Sequence, residues 1–156
     1  MAHWLMKSEP AEFSIDDLVK AKKQSVPWFG VRNYLARNFM RDQMKVGDEV
    51  LFYHSSCPEP GIAGLARVGS GAYPDETQFD KKSKYFDPKA SKQNPRWMLV
   101  DVKLVKKTKL LSLADMRLQP PPLADMVVLQ KGNRLSITPV KPAELKAVLK
   151  LLGTAF

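Results

Sequence analysis

Spacing of apolar positions divides the chain into short strands and shorter helices. His3-Trp4-Leu5-Met6-Lys7 reads as a strand stopped by Pro10, and Val50-Leu51-Phe52-Tyr53 as a second that runs on to Ser55. A third, Ile62 to Gly69, is rich in alanine and glycine. Gly61, Ala63, Gly64, Ala66 and Gly69 permit the close backbone approach and bending that barrel corners need. From Trp97 to Val105 the chain alternates, with Met98, Val100, Val102 and Leu104 on one face and Asp101 and Lys103 on the other, which predicts a half-buried strand. A last short strand is expected over Arg134-Leu135-Ser136-Ile137-Thr138, after a turn at Lys131-Gly132-Asn133.

Helical spacing is confined to four places. Ser14 with Asp17 forms an acidic variant of the capping box and opens a short helix to about Lys20. Val31, Tyr34, Leu35, Asn38 and Phe39 have helical spacing within Val31–Met40, and Arg37 and Arg41, four apart, share a face. Ser112 caps a helix from Leu113 to Leu118 that Pro120-Pro121-Pro122 forbids from continuing. Pro142 suits the first turn of a terminal helix whose apolar stripe is Leu145, Val148, Leu149 and Leu152. Leu123 to Leu129 fits helix or strand equally. The segment from Gly71 to Asn94 has neither period; it is polar and lysine-rich, punctuated by Tyr73, Phe79, Tyr85 and Phe86. A loop that long inside a compact domain is usually functional.

At 156 residues, with no repeat, linker or low-complexity tract, the expectation is one domain spanning 1–156. The lone Cys57 forms no internal disulfide, and no stretch approaches the roughly 20 apolar residues a bilayer demands, so the expectation is a cytoplasmic protein, nucleoid-associated if bacterial, with no membrane partner. The 25 Lys and Arg against 16 Asp and Glu give a formal charge of +9. Polyanions are the natural partners of such a surface. Basic residues gather at Lys20–Lys23, at Arg32, Arg37 and Arg41, from Lys81 to Arg96 and at Lys106–Lys109. The plainer alternative is that these lysines only solubilise the domain.

Two histidines, one cysteine and no carboxylate pair at ligand spacing argue against a zinc site, and no glycine-rich phosphate loop is present, so no metal and no cofactor is expected. The stretch Trp28-Phe29-Gly30-Val31-Arg32-Asn33-Tyr34-Leu35-Ala36-Arg37-Asn38 instead combines an aromatic face, a flexible glycine and many hydrogen-bond donors. That is equipment for holding a flat polar ring. Polar groups also stand at the exits of two apolar strands, in Lys7-Ser8-Glu9-Pro10 and His54-Ser55-Ser56. Trp28, Trp97, Tyr53, Tyr73 and Phe79 supply rings on which a base stacks for roughly 1–3 kcal/mol. The competing expectation is that the tryptophans are core residues.

Six blocks in this order, Trp4-Leu5-Met6-Lys7-Ser8-Glu9-Pro10, Trp28-Phe29-Gly30-Val31-Arg32-Asn33, Phe52-Tyr53-His54-Ser55, Tyr73-Pro74-Asp75, Pro95-Arg96-Trp97 and Arg134-Leu135-Ser136, resemble the EVE domain family. The resemblance runs from residue 4 to residue 136. It implies an α+β chain with the PUA-like fold, a bent, mostly antiparallel β-barrel flanked by short helices, related to the YTH domains that read methylated adenine in RNA. For function it implies a non-catalytic module that receives a modified base, with modified cytosines in DNA and RNA modification as the family themes. Trp28 would be one aromatic wall bordering a hollow open to solvent. Ser8 and Asn33 would read the base edge, while Tyr53, His54 and Ser55 line the opposite side. Arg134 and Ser136 would approach the same cavity, Tyr73, Asp75 and Phe79 would close over the ligand, and Trp97 would be a second wall or core. Lys7, Arg32, Arg37, Arg41, Lys81, Lys82, Lys84 and Lys89 would hold flanking phosphates of DNA or RNA without sequence preference. The base must be flipped or unpaired to enter. Two alternatives stand beside this: an enzyme acting on modified nucleosides through Lys7, Glu9 and His54, and an RNA-binding accessory without modified-base selectivity.

Overall fold

The computed structural model describes residues 1–156 and is organised around a parallel pair of strands, β1 (His3–Ser8) and β3 (Glu49–His54), in register from His3 against Glu49 to Ser8 against His54. Strands of a parallel pair lie inside a sheet covered on both faces, so they carry unbroken apolar runs. Trp4, Met6, Val50 and Phe52 point into one core, and Leu5, Leu51 and Tyr53 into a second on the opposite face. The remaining pairings are antiparallel: β4 (Gly61–Val68) on β3, β7 (Asp101–Ser112) on β4, β2 (Ser25–Pro27) on β7, and β8 (Ile137–Pro139) on β1. The order is β2-β7-β4-β3-β1-β8. A two-stranded ribbon of β5 (Tyr73–Pro74) and β6 (Met98–Leu99) stands apart.

Register shifts between Phe52 and Tyr53, between Ile62 and Gly64 and between Leu65 and Ala66 bend the sheet. The small residues of β4 make this curvature possible. A Cβ on Gly61 would lie 2.3 Å from the Leu111 carbonyl oxygen, and one on Gly64 would lie 2.4 Å from Cδ1 of Ile15. The expected mostly antiparallel PUA-like barrel is thus present, as a curled half-barrel left open between β2 and β8.

Short helices cover each face. On the Trp4 side lie α1 (Ile15–Lys20), with the Ser14–Asp17 capping box formed, and α2 (Tyr34–Asn38). The helical pattern of Val31–Met40 is only partly realised: Asn33 starts α2 as its N-cap, and the chain then passes into a single π-turn, Phe39–Gln43. On the Leu5 side lie α3 (Leu113–Arg117), capped by Ser112, and α4 (Pro142–Leu152), which ends at Gly153 with φ +68. The ambiguous Leu123–Leu129 becomes two 3₁₀ turns, Leu123–Asp125 and Val127–Leu129.

Two strands differ from expectation. The last begins at Ile137 rather than Arg134, because the Asn133 side chain accepts the Leu135 N–H and holds the intervening residues in a turn. The strand expected at Trp97–Val105 breaks at Val100 and then runs on to Ser112, absorbing Lys106, Lys107 and Lys109 as exposed strand residues instead of loop.

Candidate nucleic-acid interface

Parallel pairing delivers the C-terminal ends of β1 and β3 to one place. The Ser55 N–H donates to the Ser8 carbonyl at 3.0 Å, and the Lys7 N–H donates to the Ser136 carbonyl at 2.8 Å. Three segments remote in sequence therefore meet. Together with Pro27-Trp28-Phe29-Gly30 they enclose a cavity of about 620 Å³, whose lining also includes Glu9, Glu12, Phe13, Val26, Val31, Arg32, Asn33, Ser56, Lys84, Tyr85, Asn133 and Arg134. A volume of that order accommodates a nucleoside-sized ligand.

Trp28 belongs to both the core and the cavity. The residue is 7% exposed, its ring stands edge-to-face against Phe52 at 5.5 Å, and it lines the cavity. Its backbone N–H donates to the Val100 carbonyl, extending the β2 edge by one bond. At the mouth, Phe29 is 49% exposed and meets Tyr85 edge-on at 6.0 Å. Gly30 between them has φ +86, and a Cβ there would lie 2.7 Å from Cζ of Tyr85. Only glycine lets that ring close on the backbone.

Asp75 ties the 71–94 segment to this wall. Its Oδ2 accepts from the Gly30 N–H at 2.8 Å and from Arg32 Nη1 at 3.1 Å, and its Oδ1 accepts from the Thr77 N–H and hydroxyl. Arg32 also donates to the carbonyls of Val31 and Tyr85 and to the Thr77 hydroxyl. Those bonds use all five of its N–H groups. Gln78, fully buried, accepts from the N–H groups of Arg96 and Trp97 and donates to the carbonyls of Asp75 and Trp97. The apparently structureless loop is a polar clasp.

Several expected site residues therefore serve elsewhere. Arg32 lines the cavity but has no N–H free for a phosphate, since this clasp saturates it. Asp75 stands behind the wall, not over the ligand, because its two oxygens are committed to that clasp. Trp97 is buried outside the cavity, stacked on Tyr34 at 4.9 Å, with its indole N–H donating to Asp87. That bond, with Arg96 nearby, holds the Asp87 carboxyl below its usual range. Tyr73 donates to Asp101 at 2.5 Å beside β6, and burial, then this bond, pushes its hydroxyl pKa up to about 12. Phe79 ends a 3₁₀ turn, Glu76–Phe79, away from the cavity. Tyr53 faces the opposite core, because alternation along β3 places it on the Leu51 side and not on the Phe52 side. His54 accepts the Ile15 N–H on Nε2 at 3.0 Å, and burial lowers its pKa.

Among the expected phosphate ligands, Arg37 donates to Asn38 and the Arg96 carbonyl and sits over the Tyr34 ring, while Arg41 pairs with Asp42. Lys81, Lys82 and Lys89 are exposed on the 71–94 segment. Lys84 reaches across the mouth to Glu12, which also accepts from the Tyr85 hydroxyl.

Ser8, Asn33, Ser55, Arg134 and Ser136 do line the cavity. Ser8 donates its hydroxyl to the Phe13 carbonyl, and Asn33 gives its Oδ1 to the Ala36 N–H, so Ser8 keeps acceptor capacity and Asn33 keeps its amide N–H groups. Lys7 has no acidic partner, and burial holds its ammonium below the ordinary lysine range. Tyr85, Phe29 and Glu12 are cavity residues that sequence reasoning did not single out. The one signal for Tyr85 was an aromatic ring in a long polar segment.

Comparison with known proteins agrees with this architecture. The family model described as the EVE domain matches residues 2–151. Human thymocyte nuclear protein 1 is 45% identical over 167 residues, covering 96% of this chain and 73% of its own. A hypothetical protein from Leishmania major superposes with a TM-score of 0.91 at 49% identity, over 98% of this chain and 95% of the other. The structure of human THYN1 protein in complex with 5-methylcytosine-containing DNA superposes with a TM-score of 0.90 at 43% identity, over the whole of both chains. This protein belongs to the EVE domain family.

Proposed function

We propose that the protein is a non-catalytic reader that takes one modified base, 5-methylcytosine or a close analogue, out of a DNA strand and into the cavity beside Trp28. The observation that supports this reading is the cavity itself: Trp28, Phe29 and Tyr85 line it together with Ser8, Ser55 and Ser136, whose hydroxyls suit the polar edge of a pyrimidine. The relative crystallised with 5-methylcytosine-containing DNA supports the choice of base. The exposed loop lysines Lys81, Lys82 and Lys89, with Arg134, supply sequence-independent attraction to phosphates.

The test is a titration of matched oligodeoxynucleotides bearing 5-methylcytosine or cytosine at one unpaired position. Wild-type protein favours the methylated strand. Trp28→Phe, which retains a core ring while removing indole stacking area, loses most of that preference, and its melting temperature shows whether the fold persists. Lys81→Ala/Lys82→Ala weakens both strands equally. Equal wild-type affinity for the two strands refutes the reading.

One observation favours a second reading, hydrolysis at the bound nucleoside: Lys7, with its lowered pKa, and Glu9 line the same cavity. Release of free base from a modified nucleoside by wild type, abolished in Glu9→Gln, would establish it.

A further inference from the structure

A second cavity of about 550 Å³ opens where β1 and β3 end, but on the Tyr53 face of the sheet rather than the Trp28 face. The two cavities share Lys7, Ser55, Ser56 and Asn133. Between them the Ser55-Ser56 turn forms a ridge, and Ser56 holds the left-handed conformation at φ +53 that few residues other than glycine adopt. The two hollows are thus adjacent sites joined over one narrow crest.

Their charges differ. Glu9 and Glu12 line the first beside Lys7, Arg32, Lys84 and Arg134, whereas no carboxylate lines the second, which presents Lys7, Arg117 at the end of α3 and Lys131. None of these three cations takes part in an ion pair, although Lys84, Arg32, Arg41, Arg67, Arg96 and Lys107 all do. Three unpartnered cations around an acid-free hollow attract anions. A base drawn into the first cavity remains attached to its strand, and the phosphodiester beside it must leave across the rim.

We infer that the second cavity is a sugar–phosphate subsite: it receives the backbone of the nucleotide adjacent to the captured base, with Lys7 on the linking phosphate and Arg117 and Lys131 on the next. This rests on the first cavity being the base site. Such contacts add affinity without reading sequence, and burial of Lys7 strengthens its attraction for phosphate by displacing water.

Three probes separate this inference from the reading beneath it: the free nucleoside 5-methyl-2′-deoxycytidine, an oligodeoxynucleotide carrying 5-methylcytosine, and the same strand with an abasic site at that position. The variant is Arg117→Gln/Lys131→Gln, in which both exposed side chains change without disturbing either core. Nucleoside affinity is expected to stay within about twofold of wild type. Affinity for both strands is expected to fall about tenfold or more, and the slope of log K against log salt to flatten by about 0.7, the value for one single-strand phosphate contact. Unchanged strand affinity and slope, with nucleoside still bound, would overturn the subsite and leave the base pocket standing. No nucleoside binding by wild type, with abasic-strand binding lost in the variant, would overturn the base pocket and leave an anion cleft.

Discussion

The two faces of the sheet are closed by different physical means. On the Leu5 face, α4 lays Leu145, Val148 and Leu152 along the sheet, with Pro142 in its first turn and Gly153 at its end. Closure there is apolar and regular. On the Trp28 face, the irregular Trp28–Asn33 wall is fixed to the 71–97 segment by the hydrogen bonds of Asp75 and Arg32, Gln78 braces that segment from within, and Arg37 ties the five-residue α2 to the Arg96 carbonyl. Apolar packing sets no fixed spacing at its margin, whereas bonds of fixed length and angle hold the Trp28 wall at a set distance from the β1–β3 edge and preserve the hollow in front of it. The hollow beside Trp28 is therefore shaped by a polar clasp, while the one on the Leu5 face opens at the margin of an apolar cover.

Breaking the apolar cover has the largest expected effect. Leu145→Ala, at a buried position, should lower unfolding free energy by about 2–5 kcal/mol. Denaturant melts measure that loss, and the discrimination between methylated and unmethylated strands should persist wherever the protein remains folded. Asp75→Asn sharpens the contrast: it deprives Arg32 of its counter-charge and weakens the bond to Gly30, for a loss of about 1–3 kcal/mol. Its drop in base selectivity should exceed that of Leu145→Ala. Selectivity equal to wild type would show that the clasp does not shape the cavity.

Gly30→Ala is smaller again. The left-handed backbone penalises it by about 1–2 kcal/mol, and its Cβ collides with the Tyr85 ring. In a double-mutant cycle, Tyr85→Ala should remove the collision part of the penalty while the backbone part stays. The smallest effect is on pH dependence. Because the His54 pKa is lowered in the folded state, the unfolded chain binds the proton first, so the contribution is intact above 6.5 and declines as pH falls through 6.5 toward the folded value. Acid titration of stability should show that decline in wild type and not in His54→Gln.

Much of the scaffold was legible in the chain. The Ser14–Asp17 cap, the Ser112 cap, the α4 stripe and the glycines of β4 each follow from residues within a few positions of one another, and each is observed. The site was legible only in part. Ser8, Trp28, Asn33, Ser55, Arg134 and Ser136 line the cavity, while Arg32, Asp75 and Trp97, equally prominent in the sequence, form the clasp behind it. Nothing local distinguishes an arginine whose donors are free from one of whose five N–H groups four meet residues more than forty positions away.

Local spacing determined where the chain extends, where it coils and which strand ends carry polar residues, because those properties depend on near neighbours along the backbone. Tertiary structure decided the rest. The parallel pairing of β1 with β3 brought Lys7–Ser8 beside Ser55–Ser56. The clasp at Asp75 set how far Trp28 and Tyr85 stand from that edge. A cavity is the space between segments distant in sequence, so its lining is settled only when those segments meet.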